Sequence, residues 1–223
     1  MPLYYVSCNK RARLIKKVFA RFNDMNRLTI IYFLVLTNVF GQAQKDTLLY
    51  SPLRWLDKKV PAYQSVTIDG KLIDSNYFKG KTTIICFFGF NCGPCRQELS
   101  LLSELDKNIS KEKFQILMLG DASEKDLNDL RSRNSKTSGK WKRKLGIDTL
   151  TFDIVSDCPN IRVSFLMRTC KGAAFNTFKV YAIPTTFFVN KEGIVKKVFV
   201  GFSIPRNKKD DDYFYSTLRE LEN

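Results

Sequence analysis

The sequence predicts an α/β fold, a central mixed β-sheet flanked by helices with a β-hairpin ahead of the first long strand. Three observations predict it. Residues 82–88 (TTIICFF) and 114–119 are continuous apolar runs, as strands covered on both faces require. Between them, Leu99, Leu102, Leu105 and Ile109 recur at helical spacing. A strand pair around Asn190-Lys191-Glu192-Gly193 and a last amphipathic stretch then close the chain, so helices alternate with strands.

The remaining elements follow in order. Residues 60–68 alternate loosely, and Asp69-Gly70 is a turn signal leading into Lys71-Leu72-Ile73. Ser123 with Asp126 predicts a capped helix through about Arg133. Residues 131–144 are basic and poorly patterned and read as an exposed loop or helix extension. Residues 151–155 read as a strand, and residues 160–178 as an irregular helical segment containing Cys170. Residues 186–189 and 194–200 form the closing hairpin. The final helix spans residues 210–221, with acids in its first turn where the dipole favours them.

The apolar share of 44%, with 18 Phe among 223 residues, suffices for a sizeable core. Residues 1–43 hold seven of the 37 basic residues and one of the 22 acids, leaving 30 against 21, a net +9, for the remainder. That surplus favours anionic partners, but the basic residues are interspersed with acids rather than gathered in one stripe, so nucleic acid is not the expected partner. The chain has no histidine. Ser-His-Asp and Cys-His nucleophiles, His-ligated metals and Cys-x-x-Cys-His haem attachment are therefore excluded.

Residues 28–40 (LTIIYFLVLTNVF) carry no charge over 13 positions. That is short for a membrane span, which needs ~20 residues, and right for a secretory apolar core. Gly41-Gln42-Ala43 offers small residues for cleavage after Ala43, and Met25-Asn26-Arg27 a compact basic start. The expected organisation is a basic segment and signal peptide over 1–43 with Met25 as the true start, a leader over 44–58, and one domain over 59–223. An uncleaved anchor behind a basic tail is the alternative; both place the remainder outside the cytoplasm, and both keep Cys8 away from it.

The chemistry concentrates in Cys92-Gly93-Pro94-Cys95, at the junction between a buried strand and a helix. Cys-x-x-Cys sets two sulfurs one helical turn apart, close enough to join. Unpaired N–H groups and the dipole of the helix N-terminus lower the thiol pKa of Cys92 from its free value of ~8.5. Pro94 is tolerated because the first turn needs no donor from it. Cys92 is thus expected to attack a substrate disulfide, and Cys95, one turn in and more shielded, to resolve the mixed disulfide. A structural disulfide closing so small a loop would stabilise little. A four-cysteine zinc site would need a second Cys-x-x-Cys, and Cys158 and Cys170 stand 12 apart.

VPAY at 60–63, DGK at 69–71, FKGK at 78–81, CGPCRQE at 92–98 and IPTTFFV at 183–189 occur in that order. Together they resemble exported thioredoxin-like proteins of the TlpA/ResA type, in the AhpC/TSA-redoxin superfamily, over about residues 58–203. The resemblance implies a thioredoxin fold and a thiol–disulfide oxidoreductase that needs no cofactor. It implies a cis Ile183–Pro184 peptide facing the dithiol, with an ordinary trans proline at a strand start as the alternative. It also points to Glu98 as the acid that tunes proton transfer at the dithiol; a solvated helix carboxylate is the alternative.

Two departures stand out. Asn91 occupies the place of the usual tryptophan before the first cysteine. Cys86 stands where thioredoxins carry a buried Asp, and it reads as an inert small hydrophobe rather than a third redox thiol. Cys158 and Cys170 would pair as a staple worth ~2–4 kcal/mol in an oxidising compartment. The Gly-Pro pair between the cysteines, shared with thioredoxin, implies a reductase of protein disulfides recharged by a membrane electron donor. The expected location is the periplasm or the outer face of the cytoplasmic membrane. The rivals are a peroxiredoxin-like peroxidase, for which residues 89–91 lack the needed Thr, and a copper chaperone using Cys92 and Cys95.

Overall fold

A computed structural model describes residues 51–132, 136, 138–157 and 172–222. The expected signal peptide and the pairing of Cys158 with Cys170 lie outside the described residues. A short hairpin, β1 (Ser65–Val66) and β2 (Leu72–Ile73), precedes a five-stranded sheet. The sheet comprises β3 (Thr82–Gly89), β4 (Phe114–Asp121), β5 (Asp153–Ser156), β6 (Thr185–Val189) and β7 (Val195–Val200), ordered β5-β4-β3-β6-β7. β4 runs parallel to both β3 and β5, whereas β6 runs antiparallel to β3 and β7. The helices are α1 (Gly93–Asn108), α2 (Glu124–Arg131), α3 (Gly139–Lys144), α4 (Ala173–Phe178) and α5 (Lys208–Glu222). This is the mixed sheet with flanking helices and N-terminal hairpin that the sequence pattern predicts.

All eight residues of β3 are buried because the sheet is covered twice. Ile84, Cys86 and Phe88 face a cluster with Cys95, Leu99 and Leu102 of α1 and Phe214 of α5. Ile85 and Phe87 point the other way, among Phe175 and Phe178 of α4 and Phe187 of β6. Alternation along one strand thus feeds two cores, and the run is apolar throughout. Phe87 sits at the centre of the second core, with ring centroids 4.9, 5.2 and 5.7 Å from Phe175, Phe178 and Phe187.

Two regions depart from the sequence expectation. Residues 131–144 are not simply an exposed loop: α3 forms there, and Lys142 is fully buried. Its ammonium donates to the carbonyls of Leu130 (2.6 Å) and Ser132 (2.8 Å), tying α3 to the end of α2. A basic run hid this because one of its inward residues is itself a lysine, satisfied by C-terminal carbonyls that helix α2 leaves unpaired. Within 160–178 the described helix is only the six residues of α4.

Asp157 holds the start of α4. Its buried carboxylate accepts from the N–H groups of Ala174 (2.9 Å) and Phe175 (3.0 Å). Gly172 lets the chain pass close by, since a Cβ there would lie 1.7 Å from the Asp157 carbonyl oxygen. Asp157→Ala is expected to destabilise the protein by about 1–2 kcal/mol, as loss of a helix cap does. Urea unfolding at pH 7 measures it, and an unchanged midpoint would refute the capping role.

Candidate functional site

β3 delivers the chain to its C-terminal end at Gly89, and α1 begins four residues later. Cys92 is the N-cap of α1, with extended backbone (φ −91°, ψ 114°), and the Cys95 N–H donates to its sulfur at 3.1 Å. A helix starting here leaves its first N–H groups without carbonyl partners, and one of them is aimed at this sulfur. Cys92 and Cys95 form a disulfide, with Cα atoms 5.2 Å apart. Cys92 is half-buried and Cys95 has no exposed surface. Only the first sulfur is within reach of another polypeptide.

The Ile183–Pro184 peptide is cis, and the Ile183 carbonyl oxygen lies 3.8 Å from the Cys92 sulfur. Two motifs separated by about ninety residues thus meet at one sulfur. Pro184 itself is buried, and its carbonyl is taken by the Gly201 N–H (2.8 Å). Gly89 allows the close approach, because a Cβ there would fall 2.3 Å from Ile183 Cδ1.

Glu98 lies one turn beyond Cys95 on α1 and has no exposed surface. The solvated alternative is thereby excluded. One carboxylate oxygen accepts from the Thr186 hydroxyl (2.5 Å) and the other from the Cys86 thiol (3.0 Å). Burial pushes the Glu98 pKa up to about 7; the two hydrogen bonds oppose that rise and Asp210 adds to it. Cys86 is buried as the sequence predicts, but it is not an inert hydrophobe. It is the hydrogen-bond donor to this carboxyl, and burial followed by the charge of Glu98 pushes its own thiol pKa well up.

Several neighbours were not legible in the sequence. Thr186 is the register partner of Cys86 across β3 and β6, a relation that only strand pairing defines. A second cis proline, Pro205 after Ile204, lies near the start of α1: Ile204 is 62% exposed, and its Cδ1 would stand 3.2 Å from a Cβ on Gly93. The Ile-Pro dipeptide repeated from 183–184 was the available signal. Arg206 pins this second loop to α1, its N–H donating to Gln97 (3.2 Å) and its guanidinium to Glu104 (2.9 Å) and Asp211 (2.7 Å). Beside the dithiol, the Arg96 guanidinium lies 5.0 Å from the centroid of the Trp141 ring. Among the described residues no helix is long and apolar enough to cross a membrane.

Comparison with known proteins agrees with this geometry. The chain is 26% identical over 140 residues to the thiol-disulfide oxidoreductase ResA of Bacillus thuringiensis subsp. konkukian, a match covering 63% of this chain and 66% of that protein. It is 29% identical over 124 residues to ResA of Geobacillus thermodenitrificans, covering 56% and 57%. The chain therefore spans just under two thirds of the length of the first of these relatives and less of the second. Among solved structures, a Chlorobium tepidum protein provisionally assigned as the thiol:disulfide interchange protein DsbE shares the fold. The TM-score is 0.52 at 18% identity, over 75% of this chain and 99% of that one. The sequence profile of the AhpC/TSA family matches residues 56–198, which include the dithiol, the Ile183–Pro184 loop and Glu98, and the chain belongs to that family.

Proposed function

We propose that this chain is a thiol–disulfide oxidoreductase that exchanges disulfides with protein substrates outside the cytoplasm, working as a reductase. The observation that carries the reading is the asymmetry of the pair: a half-exposed Cys92 caps a helix and is joined to a fully buried Cys95. In the reduced protein, the Cys92 thiolate is stabilised by the Cys95 N–H and the start of α1. It attacks one sulfur of a substrate disulfide, forming a mixed disulfide and releasing the other substrate sulfur as thiolate. Cys95 then gives up its proton and attacks Cys92, closing the internal disulfide and freeing the reduced substrate. Glu98, one turn away and titrating near neutrality, is the acceptor for that proton. The Ile183 carbonyl at the Cys92 sulfur, with the exposed apolar side chain of Ile204 beside Gly93, lines the position where an extended substrate segment would lie.

The Gly-Pro pair between the cysteines supports the reducing direction, which requires a membrane electron donor to restore the dithiol. The uncharged run at 28–40 supports export. Equilibration with glutathione buffers is expected to give a potential close to thioredoxin's, ~−270 mV; a value near the ~−120 mV of DsbA would reverse the assigned direction. Trapping with Cys95→Ser tests the reaction itself. Mixed disulfides should accumulate on Cys92, and their absence from an oxidised-protein extract would sink the exchange reading.

A further inference from the structure

The side of β3 that faces α1 carries one residue with reactive chemistry that the exchange steps do not use. Cys86 stands opposite Thr186 in the β3–β6 register, and the Glu98 side chain of α1 reaches down onto that pair. The three side chains form a closed, buried set in which both carboxylate oxygens are occupied by donors from two different strands. The donors are unequal in chemistry. Thr186 has a hydroxyl rotor that also has lone pairs to offer, whereas a buried thiol is a weak donor with little acceptor competition. Asp210 of α5 is the further charged group acting on Glu98, and Cys95 is the ionisable group preceding it on α1. The Cys86 thiol, buried beside a carboxylate, keeps its proton through the working range and so remains a donor whether the dithiol is open or closed.

We propose that Cys86 is a positioning residue for the exchange reaction: its thiol holds Glu98 oriented and ready to ionise beside Cys95, and thereby sets the pH at which the mixed disulfide is resolved. The inference rests on the oxidoreductase reading above. In the step concerned, the Cys95 S–H bond breaks and its proton passes to the Glu98 carboxylate. The Cys95 sulfur bonds to Cys92, the Cys92–substrate bond breaks, and the electron pair leaves with the substrate thiolate. The substrate is reduced and the dithiol oxidised. A donor to the carboxylate favours its ionised, proton-accepting form, so removing that donor makes Glu98 harder to ionise.

The test uses a mixed disulfide between Cys92 and thionitrobenzoate and follows release of the coloured thiolate against pH in the full chain. The wild type should show an inflection that Glu98→Gln removes. Cys86→Ala and Cys86→Val, which lack a donor, should move that inflection up by about one pH unit and slow release at pH 7 about fivefold. Cys86→Ser, which restores a donor, should retain the wild-type inflection. Thermal unfolding confirms that each variant folds, and Val guards against a cavity effect in Ala. Superposable Ala, Val and wild-type profiles would overturn the proposal, as would a Ser variant shifted as far as Ala. A wild type that forms the mixed disulfide but never resolves it would overturn the oxidoreductase reading as well, a result distinct from any change among Cys86 variants.

Discussion

Cys92→Ser is expected to lower disulfide exchange with a protein substrate by at least about a thousandfold, to the background set by free dithiol in the assay. The attacking species is a thiolate, which the Cys95 N–H at 3.1 Å and the dipole of a 16-residue helix stabilise. A serine hydroxyl at the same place stays protonated, so no nucleophile forms. Serine is nonetheless a good N-cap, so the start of α1 should survive the change. The proper comparator for stability is the reduced wild type, because both lack the internal disulfide. Insulin reduction, followed as turbidity with each protein at equal concentration, measures the effect. Retention of even a tenth of the wild-type rate would place the chemistry on another residue.

Glu98→Gln should remove about 3 kcal/mol of pH dependence from the stability of the oxidised protein. The carboxyl is fully buried, and its pKa is pushed up from 4.5 to about 7 by burial. Between those values the folded state holds a proton that the unfolded chain has released, so folding is favoured at low pH. Stability therefore falls as pH rises from about 4.5 to about 7 and levels off above it; a shift of that size corresponds to roughly 3 kcal/mol. Glutamine cannot ionise and should abolish this component while leaving that of Asp157 in place. Urea unfolding at pH 5 and pH 8 for both proteins isolates the difference, since every other titrating group is shared. Equal losses in the two proteins would mean that Glu98 is ionised in the folded state throughout.

Cys92 and Glu98 belong to the same stretch of α1 and its cap, yet the sequence reveals them unequally. Cys92 and Cys95 were legible because their chemistry is local: a Cys-x-x-Cys at a strand-to-helix junction needs only adjacent residues to define it. The cis Ile183–Pro184 loop was legible only through its resemblance to a family, since nothing between residues 96 and 182 brings it back to the dithiol. Glu98 was visible as a residue but ambiguous in state. Helical spacing places it one turn after Cys95, and whether that face is wet or dry depends on what covers it. The covering residues, Cys86 and Thr186, come from strands that are distant in sequence and adjacent only through pairing.

Lys142 shows the same limit from the other direction. Its charge argued for solvent, and two carbonyls at the end of α2 made burial acceptable. Composition averages over such residues and cannot register one inward-turned lysine.

By itself, the sequence determined the order of strands and helices, the reactive pair and the helix end that activates it, because periodicity, capping and dithiol spacing act over a few residues of chain. Tertiary structure alone decided that Glu98 is dry, that Cys86 and Thr186 donate to it, and that the Ile183 carbonyl meets the attacking sulfur. Those facts depend on strand register and on loops closing across roughly ninety to a hundred residues. The physical reason is that a carboxyl's charge state follows the dielectric and the donors around it, and those are assembled only when the sheet and α1 pack together.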